Sequence, residues 1–251
     1  MRQGLIDIHQ HLIYGVDDGP KSWEETEAML IEAEKQGIER IIATSHAFPG
    51  RVHFDYDGYL DKLNAMNQYA WEQGRNIRLL PGAEIYYTTN ALKKLDALEI
   101  PTLAMGSHVL VEFMPEVKVD ELFRALRELA NGGYKPILAH VERYYCLQDK
   151  PEMIQELRQL GILIQMNAKT VLSSRGLFGG KSFIRKLLKE DQVDFVATDA
   201  HNTSSRPICL RVAYDFLEKH YGKEKADMLT WKNQSVLISN SGYGFGTKNV
   251  R

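Results

Sequence analysis

The stretch Leu5-Ile6-Asp7-Ile8-His9-Gln10-His11, running on into Gly15-Val16-Asp17-Asp18-Gly19, decides how the rest of the chain is read. An apolar run of strand character ends in two histidines two residues apart. Side chains alternate along a strand, so His9 and His11 point to the same side. Neutral imidazoles are good ligands for borderline divalent metals. The acidic turn that follows can bring a carboxylate back over the same point. Taken alone, His-x-His also fits a strand end with two solvated histidines. The reading therefore depends on whether later segments send ligands to the same place.

Working outward, short apolar runs alternate with amphipathic segments along the whole chain. Strands are expected at about 5–8, 40–43, 77–80, 107–113, 136–139, 162–166 and 194–198. Ser22 is a plausible N-cap ahead of Glu24 and Glu25, and this first helix stops at Gly37. Further helices are expected at 57–73, 119–131, 151–160, 181–190, 207–221 and 223–231, with a β-piece and a short helix over 85–100. Strands that alternate with helices imply a parallel sheet, either a barrel or a doubly wound one. A doubly wound sheet gathers its site at one switch point, usually beside a Gly-rich first turn. A barrel takes its chemistry from the C-terminal ends of many strands. Here His9, His11, His46, Glu84, Glu112, His140, Asp199 and His201 fall at successive strand ends, which favours the barrel.

Composition sets bounds but no chemistry. The 251 residues, 44% apolar and 25% charged, fit one α/β domain able to bury a core. A net charge of −2 offers no basic field for nucleic acid. Two distant cysteines, Cys146 and Cys209, suit a reducing compartment. With no apolar run near the ~20 residues of a membrane span and a start that goes straight into a strand, a cytoplasmic protein without membrane insertion is expected. The single domain is expected over 1–240. The Gly-rich 241–251 follows no strand and opens no helix, so it reads as a flexible tail rather than a phosphate loop.

Of eight histidines, His53, His108 and His220 lie away from the strand ends and are expected to be structural. The other five, with Asp18, Glu84, Glu112 and Asp199, offer nine nitrogen or oxygen ligands and no thiolate. That set is too large for one tetrahedral zinc and suits two or three hard or borderline divalent ions with bridging carboxylates. Glu112 interrupts an apolar strand, and an unpaired buried charge there would be costly unless a metal offsets it. A close metal cluster activates water at neutral pH and clamps both oxygens of an in-line displacement, which is the chemistry of phosphoester hydrolysis. Arg143 and Arg206, shortly after His140 and His201, are the natural neutralisers of transition-state charge. A Cys-x5-Arg mechanism is excluded, because Glu152 and Asp215 stand where the arginine would be. Walker A and Gly-x-Ser-x-Gly patterns are also absent.

The motifs Asp7-Ile8-His9-Gln10-His11, Gly15-Val16-Asp17-Asp18-Gly19-Pro20, Ala43-Thr44-Ser45-His46, Leu80-Pro81-Gly82-Ala83-Glu84-Ile85, Val111-Glu112-Phe113, Ala139-His140-Val141-Glu142-Arg143 and Ala197-Thr198-Asp199-Ala200-His201-Asn202 occur in the order of a known family. Over about residues 4–240 the chain resembles the PHP (polymerase and histidinol phosphatase) superfamily. More narrowly, it resembles the manganese-dependent protein-tyrosine phosphatases of Gram-positive capsule and exopolysaccharide loci. The resemblance implies a distorted (β/α)7, TIM-like barrel holding up to three Mn2+ ions, although the donor set also accepts Fe or Zn. It places His9, His11, Glu84 and Asp199 on one ion, Glu84, Glu112 and His140 on a second, and Asp18, His46 and His201 on the third. Arg143 and Arg206 would grip the phosphate, and Asp199 or His201 would shuttle a proton. The implied substrate is phosphotyrosine on a bacterial tyrosine kinase with a Tyr-rich tail, and the family includes homo-oligomers. Gln10, Ser45, Ala47 and Val141 depart from the usual family residues, and Ala47 lies in the loop 47–56 expected to border the substrate. Two other readings remain at this point, a histidinol-phosphate or other small-molecule phosphoesterase, and a metal-binding scaffold.

Overall fold

The computed structural model describes residues 4–174 and 181–239. Its strands are β1 (Leu5–Gln10), β2 (Ile38–Ala47), β3 (Arg78–Tyr86), β4 (His108–Glu112), β5 (Lys135–Leu138), β6 (Leu163–Asn167) and β7 (Phe195–Ala197). They pair in parallel in sequence order. The seam between β1 and β7 is stitched near the top. The His11 N–H donates to Ala200 O at 2.9 Å, and the Asp199 N–H donates to His9 O at 2.8 Å. The sheet thus curls into a seven-stranded barrel.

The helices are α1 (Trp23–Lys35), α2 (Tyr56–Glu72), α3 (Ala91–Asp96), α4 (Val119–Asn131), α5 (Tyr145–Asp149), α6 (Glu152–Gln159), α7 (Ala168–Ser173), α8 (Lys181–Lys189), α9 (Leu210–Tyr221), α10 (Lys223–Asp227) and α11 (Asn233–Ser239). Ser22 caps α1 by accepting the Glu25 N–H. On α4, Leu122, Ala125, Leu126 and Leu129 make the buried stripe that helical spacing requires.

Three differences from the sequence reading have physical causes. First, β3 does not end at 80 but continues through Pro81 and Gly82 to Tyr86. Gly82 is needed there because a Cβ would lie 2.6 Å from Ile42 Cγ2. Second, the short α5 and α7 carry too few turns to give a periodic signal. Third, the last helical stretch passes through a π-helical segment, Met228–Lys232, into α11. The expected tail at 241–251 lies outside the described residues.

Strand alternation orders the barrel interior in layers. Ile6, Ile8, Ile42, Leu80, Leu110, Ile137, Ala139, Phe195 and Ala197 form one buried apolar cluster, with Leu163 packed against it. Further along the same faces, four residues on in β2 and β3 and two in β4, β6 and β7, stand His46, Glu84, Glu112, Gln165 and Asp199. β1 and β5 would miss this layer under strict alternation, because Ile8 and Ala139 already point inward. On β1 a bulge intervenes: Asp7 pairs with Ile41 but Gln10 with Ala43, three steps against two. Bulges re-aim side chains, and this one lets His9 and His11 share the interior. On β5 the break is made by His140, whose φ is +32°.

Candidate metal centre

All nine predicted ligands meet at the C-terminal mouth of the barrel. Donor atoms of His9, His11, Glu84 and Asp199 lie within 4.8 Å of one another. A second such group is His11, Asp18, His46 and His201, and a third is His46, Glu84 and Glu112. His140 joins the third group through Glu84, with its Nε2 2.8 Å from Glu84 Oε1 and 3.6 Å from Glu112 Oε2. The structure therefore gives His46 a wider reach than the resemblance implied. Its Nδ1 lies 3.2 Å from Glu84 and 3.1 Å from Glu112, while its Nε2 lies 3.4 Å from Asp18. The register explains part of this, since His46 and Glu84 are Cα partners across β2 and β3.

Three imidazoles are oriented by acceptors behind them. His11 Nδ1 donates to Asp17 Oδ2 at 2.8 Å. That oxygen also accepts the His46 N–H, so its acceptor role is set. His201 Nδ1 donates to the Asp199 carbonyl at 3.0 Å. His9 Nδ1 donates to Gln165 Oε1 at 3.2 Å. In each case the outer nitrogen is occupied and Nε2 is turned into the cluster, the arrangement found around metal-ligating histidines. His9 and His11 bring their Nε2 atoms to 3.4 Å of each other, both beside Glu84 Oε2.

The electrostatics have the form of a cation site. Burial alone would lower the His11 pKa, but hydrogen bonds and ion pairs to Asp17 and Glu84 outweigh it and push it up to about 10. His140 goes up to about 9, because Glu112 and Glu84 likewise outweigh burial. Burial also opposes ionisation of Asp199, yet His9, His11 and Arg143 hold it down at about 2. Without an ion, protons on the imidazoles balance buried carboxylates. A divalent ion would occupy the same space and displace those protons. The donor set, with its Nε2 atoms and carboxylates converging, fits such ions.

Both predicted arginines reach the cluster. Arg143 Nη2 lies 2.7 Å from Asp199 Oδ2, and Arg206 Nη2 lies 2.7 Å from Asp199 Oδ1. Arg206 Nη1 also approaches Asp18 Oδ2 at 3.3 Å. Asp18 and the two guanidiniums form the open side of the site, being 59%, 42% and 35% exposed. The histidines expected to be structural stay out. His53 is in the loop after β2, His108 opens β4, and His220 stacks on Phe216.

With this geometry the chain can be placed among known proteins. The family profile described as capsular polysaccharide synthesis, CpsB/CapC, matches residues 5–239. The chain belongs to the CpsB/CapC family. It is 37% identical over 239 residues to the tyrosine-protein phosphatase CpsB of Streptococcus pneumoniae, covering 93% of this chain and 98% of that one. Crystal structures of YwqE from Bacillus subtilis and CpsB from S. pneumoniae, described as unique metal-dependent tyrosine phosphatases, include one that superposes with a TM-score of 0.85. That match has 28% identity and covers 94% and 95% of the two chains. The histidinol phosphate phosphatase of Lactococcus lactis superposes with a TM-score of 0.53 at 16% identity, covering 96% and 94%, and so shares the fold alone.

Within this CpsB/CapC chain, several site residues escaped the sequence reading. Asp17, next to the predicted ligand Asp18, and Gln165 and Asn167 in β6 are not among the residues that it singles out for the site. Asp7, in the opening motif, accepts the Thr198 N–H at 3.0 Å and the Thr198 hydroxyl at 2.5 Å, bracing the β1–β7 seam. A signal for Gln165 was present: a lone amide in the apolar run Ile162-Leu163-Ile164-Gln165-Met166 needs a buried partner.

Proposed function

We propose that this CpsB/CapC protein is a metal-dependent protein-tyrosine phosphatase, using Mn2+ to hydrolyse phosphotyrosine in a protein substrate. The observation that carries the reading is the meeting of nine nitrogen and oxygen donors with two guanidinium groups at one barrel mouth. His9, His11, Glu84 and Asp199 would hold one ion, Glu84, Glu112 and His140 a second, and Asp18, His46 and His201 a third. Bound divalent ions supply Lewis acidity and water activated at neutral pH.

The chain's own residues do the rest. Each guanidinium has five N–H groups, and Arg143 spends one on Asp199. The remainder of Arg143 and Arg206 serve to gather phosphate oxygens and neutralise charge in the transition state. Asp199, pinned on both oxygens, stays ionised and aligns the two arginines rather than donating a proton. His201 is pushed down to about 4 by burial, His11 and Arg206, so near pH 7 it is neutral and its Nε2 lone pair is free to hold an ion rather than a proton. A tyrosyl phenolate, with an ordinary pKa near ~10, leaves with modest assistance.

An adjoining cavity supports a substrate that carries a flat ring next to its phosphate. About 480 Å3 in volume, it touches Asp18 and His46 and is lined by Val16, Phe48, Val52, Phe54 and Tyr59. Flat aromatic walls beside a phosphate site suit a tyrosyl ring. Ala47, Phe48 and Val52 to Asp55 line this cavity, which supports a place for the loop 47–56 at the substrate border. The family context supports a capsule-linked tyrosine kinase with a Tyr-rich tail as the physiological substrate, met in the cytoplasm, and self-association of the phosphatase. Among the described residues no helix is long and apolar enough to cross a membrane.

The test is hydrolysis of a phosphotyrosine peptide after chelation and after return of Mn2+, Fe2+ or Zn2+ singly. Activity should vanish on chelation, return most fully with Mn2+, and exceed that on histidinol phosphate. Turnover that survives exhaustive chelation would overturn the reading, and preference for histidinol phosphate would move the protein to the small-molecule phosphatases.

A further inference from the structure

Of the seven strands, β6 alone brings none of the nine predicted ligands to the barrel mouth. It brings two buried amides instead. We propose that Gln165 and Asn167 form a positioning pair that sets the tautomer of His9 and holds the two backbone-strained corners of the site, His140 and Asp199. The proposal rests on the metal-centre reading above.

The polarity of the pair is determined by groups that can play only one role. Gln165 Oε1 lies 2.7 Å from the His140 backbone nitrogen, which can only donate. The atom there must be the amide oxygen, so it can meet His9 Nδ1 only as an acceptor of that proton. His9 is thereby left with Nε2 facing Glu84 at 3.2 Å and Asp199 at 3.5 Å. Gln165 Nε2 must then donate, and it does so to Asn167 Oδ1 at 2.9 Å. That turns Asn167 Nδ2 outward to donate to Asp199 Oδ2 at 2.8 Å, where a carboxylate can only accept. The Asn167 backbone N–H is tied to Glu142 Oε1 at 3.0 Å. One directional chain therefore joins His140, His9, Gln165, Asn167 and Asp199.

The two ends of this chain are the residues that need holding. His140 has φ +32° and Asp199 φ +53°, left-handed values that cost a non-glycine residue energy and persist only where surroundings over-determine them. At His140 that value breaks the alternation that would have turned the ring outward, and both side chains end in the cluster. Gln165 grips the first by its backbone N–H, and Asn167 grips the second by its side chain. Gln165 is fully buried and Asn167 is 7% exposed, so neither amide has water as an easy substitute.

The experiment compares Gln165→Leu and Gln165→Glu with the unaltered protein. Mn2+ affinity of chelator-stripped protein is measured by calorimetry, the histidine tautomers by 15N spectra, and the melting of the metal-free form alongside. Gln165→Leu removes the acceptor and should weaken Mn2+ binding about 10- to 100-fold, with the His9 signal leaving the Nδ1–H tautomer. Gln165→Glu keeps the acceptor for His9 and His140 and should recover part of the affinity. A purely structural role would lower the melting temperature of the metal-free protein and leave Mn2+ affinity within about twofold, and that result overturns the proposal. If Gln165→Leu does not fold, Asn167→Leu decides, since it leaves the Gln165 oxygen on His9 and His140 and removes the grip on Asp199, and unchanged Mn2+ affinity in it overturns the pair. Unaltered protein that binds no divalent ion overturns the metal-centre reading together with this one, whereas metal binding without phosphotyrosine turnover overturns only the proposed activity.

Discussion

Asp17 and Asp18 are neighbours in the chain and serve different ends. Asp17 turns back to receive His11 Nδ1 and the amides of Gly19 and His46, and its pKa is held far below the ordinary carboxylate range. Asp18 is mostly exposed and faces His46, His201 and Arg206. A strand end and an acidic turn were legible as a possible ligand set, but no spacing rule chooses between adjacent carboxylates. The arginines are a similar case, legible as candidates by their nearness to strand ends, while their shared hold on Asp199 is a tertiary fact. Arg143→Ala is expected to lower kcat/KM on a phosphotyrosine peptide by about 10²- to 10³-fold. Arg143→Lys should restore only a fraction, because a point charge does not reproduce the guanidinium fork. Steady-state kinetics check both. A melting temperature close to that of the unaltered protein would separate lost catalysis from lost fold.

At the scale of elements, α4 and the cap of α1 matched expectation because helical periodicity and an N-cap are local properties. Strand ends did not, because the continuation of β2 and β3 depends on neighbours in the sheet. Two irregularities do functional work: the bulge on β1 and the left-handed His140 after β5. Each converts an outward-facing position into an inward one, and neither leaves a mark in residue type. β4 also carries a titratable residue with no part in the site. Burial, reinforced by Lys135 nearby, pushes His108 down to about 4. The unfolded chain binds a proton near pH 6.5 that the folded chain refuses, so stability falls as pH drops from about 6.5 towards 4. Relative to His108→Leu, the unaltered protein should lose about 2 kcal/mol more between pH 7 and pH 4.5. Urea titrations of the chelated proteins at the two values measure this. An equal loss in both would show that His108 is not the group responsible.

For the whole molecule, the cluster is where the seven strands converge, so metal binding and barrel stability are coupled. Ions that bind only the folded state stabilise it by mass action, by about 2.7 kcal/mol at a hundredfold excess over Kd. For a chain of this size that is roughly 5–10 °C in Tm. Chelation is therefore expected to lower Tm by that order, and Mn2+ to restore it in a concentration-dependent way. The same binding should release protons, because His11 and His140 hold them in the ion-free protein. Calorimetry in buffers of different ionisation enthalpy reads the proton count, and uptake without release would contradict the exchange of protons for metal.

By itself, the sequence determined the alternation of strands and helices, the recurrence of ionisable residues at strand ends, and the exclusion of a cysteine mechanism. These are properties of local patterns and residue chemistry. Only the tertiary structure decided that Asp17 turns back to hold His11, that His46 spans two groups, and that Gln165 and Asn167 stand behind His9 and Asp199. The reason is geometric. A ligand type is a property of one residue. Its direction depends on a bulge, a left-handed turn or a hydrogen bond from another strand, and those exist only once the barrel has closed.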